Sequence, residues 1–448
     1  MDFYQLSLGL LVAVNTGLLW AQYRRKSGNG GFANDKNSMS SVSSYNFHLT
    51  FFVPYAMAVA ADWLQGPHIY AIYKYEKNLP EKVVAALYAT GFAAGGISAS
   101  FAGTLADRFG RKRACLLYCA LYFLTCLSMV SENLTVLFLG RFAGGVSTTL
   151  LFSVFEAWMI SDYHERGLHI ASVNPDVGVA VDMQEMGDAE GEKGAETASS
   201  TPLDGIFSTM TTLSCVVAIA SGVVGDMLVT ASGTRTWPFM AAMFCSIMAA
   251  AIIATCWREN YGSTSWGSSG HSPLPSTFRR FAFLRDPKIL AIGLTTCVFE
   301  GTMYLFIFFW SAALKNAHDI VPNSVSTAEL PFGLIFSSFM CTMLAGSAIF
   351  GRLRSCGSSS SDILLGVIVV VSCCLGLTVS VQDERLLFFA FCIIEGCIGV
   401  YFPAMASLKS QLVDDNIRGR VYSVLRAPLN VFVVVAHCLD EEVRESSS

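Results

Sequence analysis

The sequence predicts an all-α polytopic membrane protein, and three observations carry that prediction. First, hydrophobic residues make up 53% of the 448-residue chain, charged residues only 14%, and the mean hydropathy is +0.50. A soluble chain of this size carries roughly a quarter charged residues. Second, apolar runs near the roughly 20 residues needed to cross a bilayer recur along the whole chain. Third, the turn Gly103–Arg113, GTLADRFGRKR, packs Arg108, Arg111, Lys112 and Arg113 with Asp107 between two such runs. That composition suits a tight hairpin held on one side of a membrane.

Taken in order, the runs fall at residues 3–22, 49–74, 83–105, 114–130, 134–158, 204–230, 237–257, 288–313, 331–351, 362–380, 385–408 and 419–438. The first is preceded by Asp2 and followed by Arg24, Arg25 and Lys26, with no small-residue cleavage site, so it reads as a retained helix. With Gly103–Arg113 placed inside, 20 of the 29 basic residues fall in inner turns or their margins. This bias follows the positive-inside rule, and it predicts twelve crossings with both termini outside.

The polar stretches divide the chain. Residues 1–48 form an N-terminal membrane helix and linker, 49–257 a first half, 258–287 a Ser-, Gly- and Pro-rich linker, 288–438 a second half and 439–448 a polar tail. Within the first half, residues 159–203 are acidic, Gly- and Ala-rich and lack apolar periodicity, so a disordered inner loop is expected. Asn133-Leu-Thr135 matches a glycosylation acceptor but sits in an outer turn of about three residues, too close to the bilayer for modification. Of the 14 cysteines, most lie inside apolar runs without metal-ligand spacing, and they read as small buried hydrophobes.

Ionisable groups inside spans cost roughly 2.5–3.5 kcal/mol on insertion scales, so they mark cavities or partners. The candidates are Asp62, Arg141, Glu156, Asp226, Glu300, Glu395 and Arg426. Glu156 lies near the inner end of its run, where pairing with loop cations is expected. Asp62 lies about 13 residues into its run and Glu300 about 12 into its own. At 1.5 Å per residue both are about 18–20 Å deep, close to midplane. Two carboxylates at matched depth are expected to face one central cavity. The glycine pairs Gly95–Gly96 and Gly144–Gly145 suit close helix packing.

GTLADRFGRKR resembles the loop between the second and third core helices of the major facilitator superfamily, and GRFAGG (Gly140–Gly145) resembles its arginine motif on the fourth. Five longer strings resemble the eukaryotic molybdate-anion transporter branch: ADWLQGPHIYAIY (Ala61–Tyr73), LLFSVFEAW (Leu150–Trp158), WRENYG (Trp257–Gly262), GLIFSSFM (Gly333–Met340) and YFPAM (Tyr401–Met405). The resemblance implies a bundle of two pseudo-symmetric halves with an extra N-terminal helix, residues 3–22, in front. On that register the second half carries five spans where the bundle has six, so the last core helix is expected to be lacking.

The resemblance also implies alternating access around a central site. It places Gly103, Asp107, Arg108, Gly110, Arg111 and Lys112 in a conformational latch. For a tetrahedral dianion such as molybdate, Arg141 and Arg426 would supply charge and directional donors. Gln65, Tyr70, Tyr304 and Asn430 would add neutral hydrogen bonds, and Asp62, Glu300 or Glu395 would carry a co-transported proton. The expected function is secondary uptake of molybdate or a similar oxyanion through the lipid bilayer of the plasma membrane. No enzyme activity, cofactor, metal or nucleic-acid partner is expected; neither a catalytic constellation nor a GxxxxGK[ST] motif occurs. Two alternatives stay open: another oxyanion or an organic solute, and a non-transporting membrane sensor or scaffold.

Overall fold

The computed structural model describes residues 3–29, 38–99, 101–166, 202–262, 286–320 and 330–412. These form α1 (Phe3–Asn29), α2 (Ser38–Gln65), α3 (Glu81–Ala99), α4 (Ala102–Phe109), α5 (Arg111–Ser128), α6 (Leu134–Glu165), α7 (Pro202–Ser232), α8 (Trp237–Cys256), α9 (Pro287–Ile320), α10 (Phe332–Ser355), α11 (Ser360–Ser380) and α12 (Glu384–Leu412). Ten of them contain stretches long and apolar enough to cross a membrane. The hairpin helix α4 is too short, and α5 carries Tyr118, Tyr122 and Thr125 into the packed interior, where they are fully buried. Most of the polar loop expected at 159–203, most of the linker at 258–287, and the run at 419–438 lie outside the described residues. α6 continues as far as Glu165 and α7 starts at Pro202, so both helices run into the stretch read as loop.

Packing separates two halves. In the first, α2 lies against α7 and α8, α6 against α3 and α5, and α5 against α8. In the second, α12 packs on α9, α10 and α11. The α3–α6 seam depends on glycine: a Cβ on Gly145 would stand 2.9 Å from both the Gly95 nitrogen and the Ala94 Cβ. Small residues of this kind let membrane helices approach closely.

α1 does not pack with the half that follows it in sequence. It lies along α10, where the buried Asn15 amide donates to the Cys341 carbonyl at 2.9 Å. At its start, the Tyr4 hydroxyl donates to Glu384 of α12, and Glu384 also meets His318 of α9 at 2.8 Å. The Phe3 ring stands edge-on to Phe388 and Phe389.

Asn133, read above as a glycosylation match, is the N-cap of α6; its side chain accepts from the Thr135 amide at 2.9 Å. All 13 cysteines among the described residues are free.

The GTLADRFGRKR hairpin folds around Gly110, whose φ of 109° and ψ of 129° are open to glycine and strained for other residues. Arg111 donates to Asp107 through Nε and Nη2, both at 2.7 Å, and to the Ala157 carbonyl at 3.1 Å. The Lys112 ammonium donates to the Ala254 and Trp257 carbonyls at 2.8 Å, and the Lys112 amide to Glu259 at 2.9 Å. Residues Trp257–Gly262 thus close the hairpin from the end of α8. The Trp257 indole stacks on Trp158 with centroids 3.7 Å apart, and the Gly262 amide donates to the Asp107 carbonyl.

These hairpin partners belong to the first half or to the Arg258–Gly262 segment that follows it. Arg108 lies over the Phe109 ring, and a Cβ at Gly103 would meet nothing within 4 Å. Gly110→Ala is expected to cost about 1–3 kcal/mol, the range for a non-glycine residue held in such a backbone region. The Glu259 carboxylate crowding the new methyl adds to that cost. Thermal unfolding of the detergent-solubilised protein checks it.

Candidate functional site

The site is built where α2 stops being an α-helix. After Gln65 the chain tightens into a 3₁₀ turn at Gly66–His68, passes one α turn at Ile69–Ala71 and widens into a π turn at Ile72–Glu76. Pro67 lacks the amide that would continue the ladder. Irregular backbone at membrane depth is tolerated where it is buried in protein or lines a cavity, and π turns concentrate at functional sites. This break carries several polar atoms with no hydrogen-bond partner among the described residues: Gln65 Oε1, both ring nitrogens of His68 and the Tyr73 hydroxyl. All three side chains are buried.

Asp62 stands one turn before the break. It accepts from the Tyr122 hydroxyl at 3.0 Å, and the Gln65 amide contacts the same hydroxyl. Tyr118, one turn along α5, donates to the Ala58 carbonyl at 2.7 Å and fixes α5 against α2. Arg141 projects from α6 toward the same region. Its guanidinium lies 5.2 Å from the Tyr88 ring centroid, and its Nε is 3.5 Å from the Leu87 carbonyl. Gly91 leaves it room, because a Cβ there would stand 2.9 Å from Nη2. Arg141 acts electrostatically on Asp62, Tyr73 and Tyr88, but no direct ion pair joins it to Asp62.

In the second half, Glu300 of α9 accepts from the Tyr401 hydroxyl at 3.2 Å, and the Lys409 ammonium lies 4.0 Å from the same oxygen. Phe299 stacks on Tyr401 with centroids 4.0 Å apart, holding α9 to α12 at this level. Glu395, also on α12, is only 6% exposed and has neither hydrogen-bond nor ion-pair partner among the described residues. The structure therefore brings Asp62 and Arg141 together on one side and sets Glu300 on the other. Glu395 stands apart from both, and Arg426 lies outside the described residues, as does Asn430.

The halves meet through aromatic and small residues. Tyr70 and Tyr88 stand edge-on to Phe308, with centroids 5.5 and 4.9 Å apart, and Phe92 leans on Tyr304. Tyr70 and Tyr304 thus take part in ring contacts across the halves. α7 crosses α10 where the Ser337 hydroxyl donates to the Ile219 carbonyl at 2.9 Å and the Gly333 amide donates to Asp226. A Cβ at Gly222 would stand 2.6 Å from the Gly333 carbonyl oxygen. These contacts lie at the ends of α7 and α9 and the starts of α3 and α10, the ends away from the basic hairpin. Glu156 is exposed and has no ion pair among the described residues, unlike the loop pairing expected from its position.

A separate cavity of about 420 Å³ lies inside the second half, between α9, α11 and α12. Phe306, Trp310, Leu375 and Phe391 make it largely apolar, and none of the candidate residues lines it. Sequence reasoning missed Tyr122, Tyr401, His68 and Lys409. The signal for His68 was its place beside Pro67 in the most distinctive string.

A family model described as "Sugar-transporters, 12 TM", within the major facilitator superfamily, matches residues 3–178 and 192–405. This chain belongs to that family. The transporter is 29% identical to the molybdate-anion transporter of Xenopus tropicalis, across 94% of this chain and 84% of that protein. It is 26% identical to the molybdate-anion transporter of Takifugu rubripes, across 86% and 77% of the two chains. Among solved structures, the nucleoside transporter NupG superposes with a TM-score of 0.66 at 11% identity, covering 90% of this transporter and 92% of NupG. A peptide transporter solved in complex with sulfate gives 0.62 at 11% identity, covering 87% of each chain. These two likenesses establish the fold alone. The transporter is a multi-pass integral membrane protein, not an enzyme.

Proposed function

We propose that the transporter carries molybdate, or a closely similar tetrahedral oxyanion, into the cell across the plasma membrane by alternating access, drawing on a proton gradient. Similarity to molybdate-anion transporters along nearly the whole chain supports the substrate class. The observation that carries the reading at the site is Arg141, a guanidinium that among the described residues meets a ring face and a carbonyl and pairs with no carboxylate. Its donors stay available for oxyanion oxygens, and arginine's planar fork suits bidentate recognition. Gln65, His68 and Tyr73 add polar atoms at the broken end of α2, as discontinuous helices do in other secondary transporters.

In this reading the halves pivot about the central charges, and the hairpin Gly103–Arg113 latches the basic face. The seam from Tyr88 to Gly333 closes the other face. Asp62, Glu300 and Glu395 are the groups able to take a proton. The test is uptake of labelled molybdate by cells expressing the full chain at nanomolar supply, with sulfate in large excess as competitor. Accumulation above control cells that survives sulfate supports the reading. No accumulation, or complete displacement by sulfate, overturns it in favour of another solute.

A further inference from the structure

We propose that Gln65 and Tyr122 couple the proton to the substrate: a proton on Asp62 reverses the hydrogen bonds through Tyr122 and turns the Gln65 amide from an acceptor into a donor for the oxyanion. This rests on the oxyanion reading above. Three side chains of the first half carry it, each joined to the next by a hydrogen bond. The Gln65 amide nitrogen donates to the Tyr122 hydroxyl, and that hydroxyl donates to Asp62 at 3.0 Å. Gln65 is 5% exposed and Tyr122 fully buried, so the chain of bonds is sheltered from bulk water. Its far end, Gln65 Oε1, is buried and has no hydrogen-bond partner among the described residues.

The direction of these bonds follows from the donors available. A phenol has a single hydrogen, and an ionised carboxylate only accepts. While Asp62 is ionised, Tyr122 therefore points its hydrogen at Asp62 and accepts from Gln65. The amide then holds its NH2 group inward and its carbonyl outward, which is the arrangement in the structure. A carboxylic acid reverses the chain. Its O–H donates to the Tyr122 oxygen, the phenol hydrogen swings to Gln65 Oε1, and the NH2 group becomes the outward end. The proton comes from water and stays on Asp62. The amide turns about its last torsion, which is soft and roughly two-fold, so the backbone need not move.

A fully ionised oxyanion carries acceptors only, so an outward carbonyl repels it and outward N–H donors hold it. A buried acceptor left unpaired is costly. In the reversed chain Gln65 Oε1 gains the Tyr122 hydrogen while the NH2 group meets the anion. Gln65 is the last residue of α2 before the 3₁₀ turn begins at Gly66, so its outward end faces the break. By reciprocity, a bound oxyanion favours the proton on Asp62 by the same factor. The other ionisable groups around Asp62 do not enter the chain. On α5, Tyr118 donates to the Ala58 carbonyl, and Cys126 lies near Asp62 with Cys245 of α8 beside it. On α2, Tyr55 faces Asp62, with Glu156 of α6 and Cys215 of α7 beyond it. Arg141 of α6 acts on Asp62 through its charge, without an ion pair.

Equilibrium binding of labelled molybdate to the reconstituted full chain, at about pH 6 and about pH 8, tests this. Binding should be tighter at the acid end. Gln65→Met keeps the length and removes both hydrogen-bonding atoms. It should weaken binding about tenfold or more at the acid end, the scale of one hydrogen bond to a charged group, and less than about threefold at the alkaline end. Tyr122→Phe cuts the chain, and in that background Gln65→Met should cost the same factor at both pH values. Asp62→Asn reaches the same readout without touching the buried phenol. It cannot ionise and donates through its amide, so Gln65→Met on it should cost the full acid factor at both ends. Thermal unfolding of each variant is read alongside.

A Gln65→Met loss of equal size at both pH values in the otherwise unaltered protein overturns the relay. So does a loss that keeps its pH split when residue 122 is Phe or residue 62 is Asn, and so does no loss at either pH. Absence of molybdate binding by the unaltered chain at both pH values overturns instead the oxyanion reading on which the relay rests.

Discussion

Replacing Arg141 with Gln is expected to reduce molybdate uptake by about two orders of magnitude or more while leaving the protein folded. A charge-assisted hydrogen bond contributes about 1.5–3 kcal/mol, and a bidentate contact supplies two. Losing both with the charge costs about 3 kcal/mol or more, which is the hundredfold expected. Stability should change little, because among the described residues the guanidinium is tied to the fold by the Tyr88 ring and one long contact to the Leu87 carbonyl. Arg141→Lys should recover only a small part of the activity, since an ammonium cannot reproduce the fork. Initial uptake rates, read beside thermal unfolding, separate this from a packing role. A variant that transports normally would return Arg141 to helix packing.

Widening the α7–α10 crossing should have the second large effect. Gly222→Val or Gly333→Val puts a branched side chain where a Cβ already meets backbone: the Gly333 carbonyl in one case, the Asp226 nitrogen at 3.0 Å in the other. Backbone cannot rotate aside as a flexible side chain can, so the halves must part at this face. Spin labels at Thr234 and Ile320 should move apart by several ångströms, and transport should fall about tenfold or more, because overpacking of a tight seam costs about 1–3 kcal/mol. Gly376→Ala on α11, where a Cβ meets nothing within 4 Å, serves as the control. An unchanged label distance would show that the seam is not what holds this face shut.

Much of this architecture was legible in the sequence because membrane crossing leaves a strong one-dimensional record. Run lengths set the helices, and the GTLADRFGRKR turn set their register. Counting along the runs was enough to expect Asp62 and Glu300 at matched depths. What counting cannot supply is the partner across a helix interface. Tyr122 lies 60 residues from Asp62 and Tyr401 lies 101 from Glu300, and a phenol inside an apolar run looks like any core aromatic.

Lys409 was hidden for a different reason. Its Cα sits at the end of a span, so it counts as a turn cation, yet its long stem carries the ammonium inward to Glu300. The change from 3₁₀ to π winding between Gly66 and Glu76 was equally unreadable, because the apolar run continues through it. WRENYG was recognisable as a string, but its closure of the hairpin joins residues about 150 apart in sequence and leaves no one-dimensional trace. Arg426 was chosen on sequence as the second cation and lies outside the described residues.

The placement of α1 has a mechanical consequence. It is seated on the second half through Asn15, Tyr4 and Phe3, yet the next helix, α2, begins the first half. The polypeptide therefore leaves the second half at Asn29 and enters the first at Ser38. A stretch of chain reaches at most about 3.3–3.6 Å per residue. The nine steps from Asn29 to Ser38 can therefore span no more than roughly 30 Å. While α1 keeps its seat on α10, that reach caps how far the start of α2 can draw away from the end of α1.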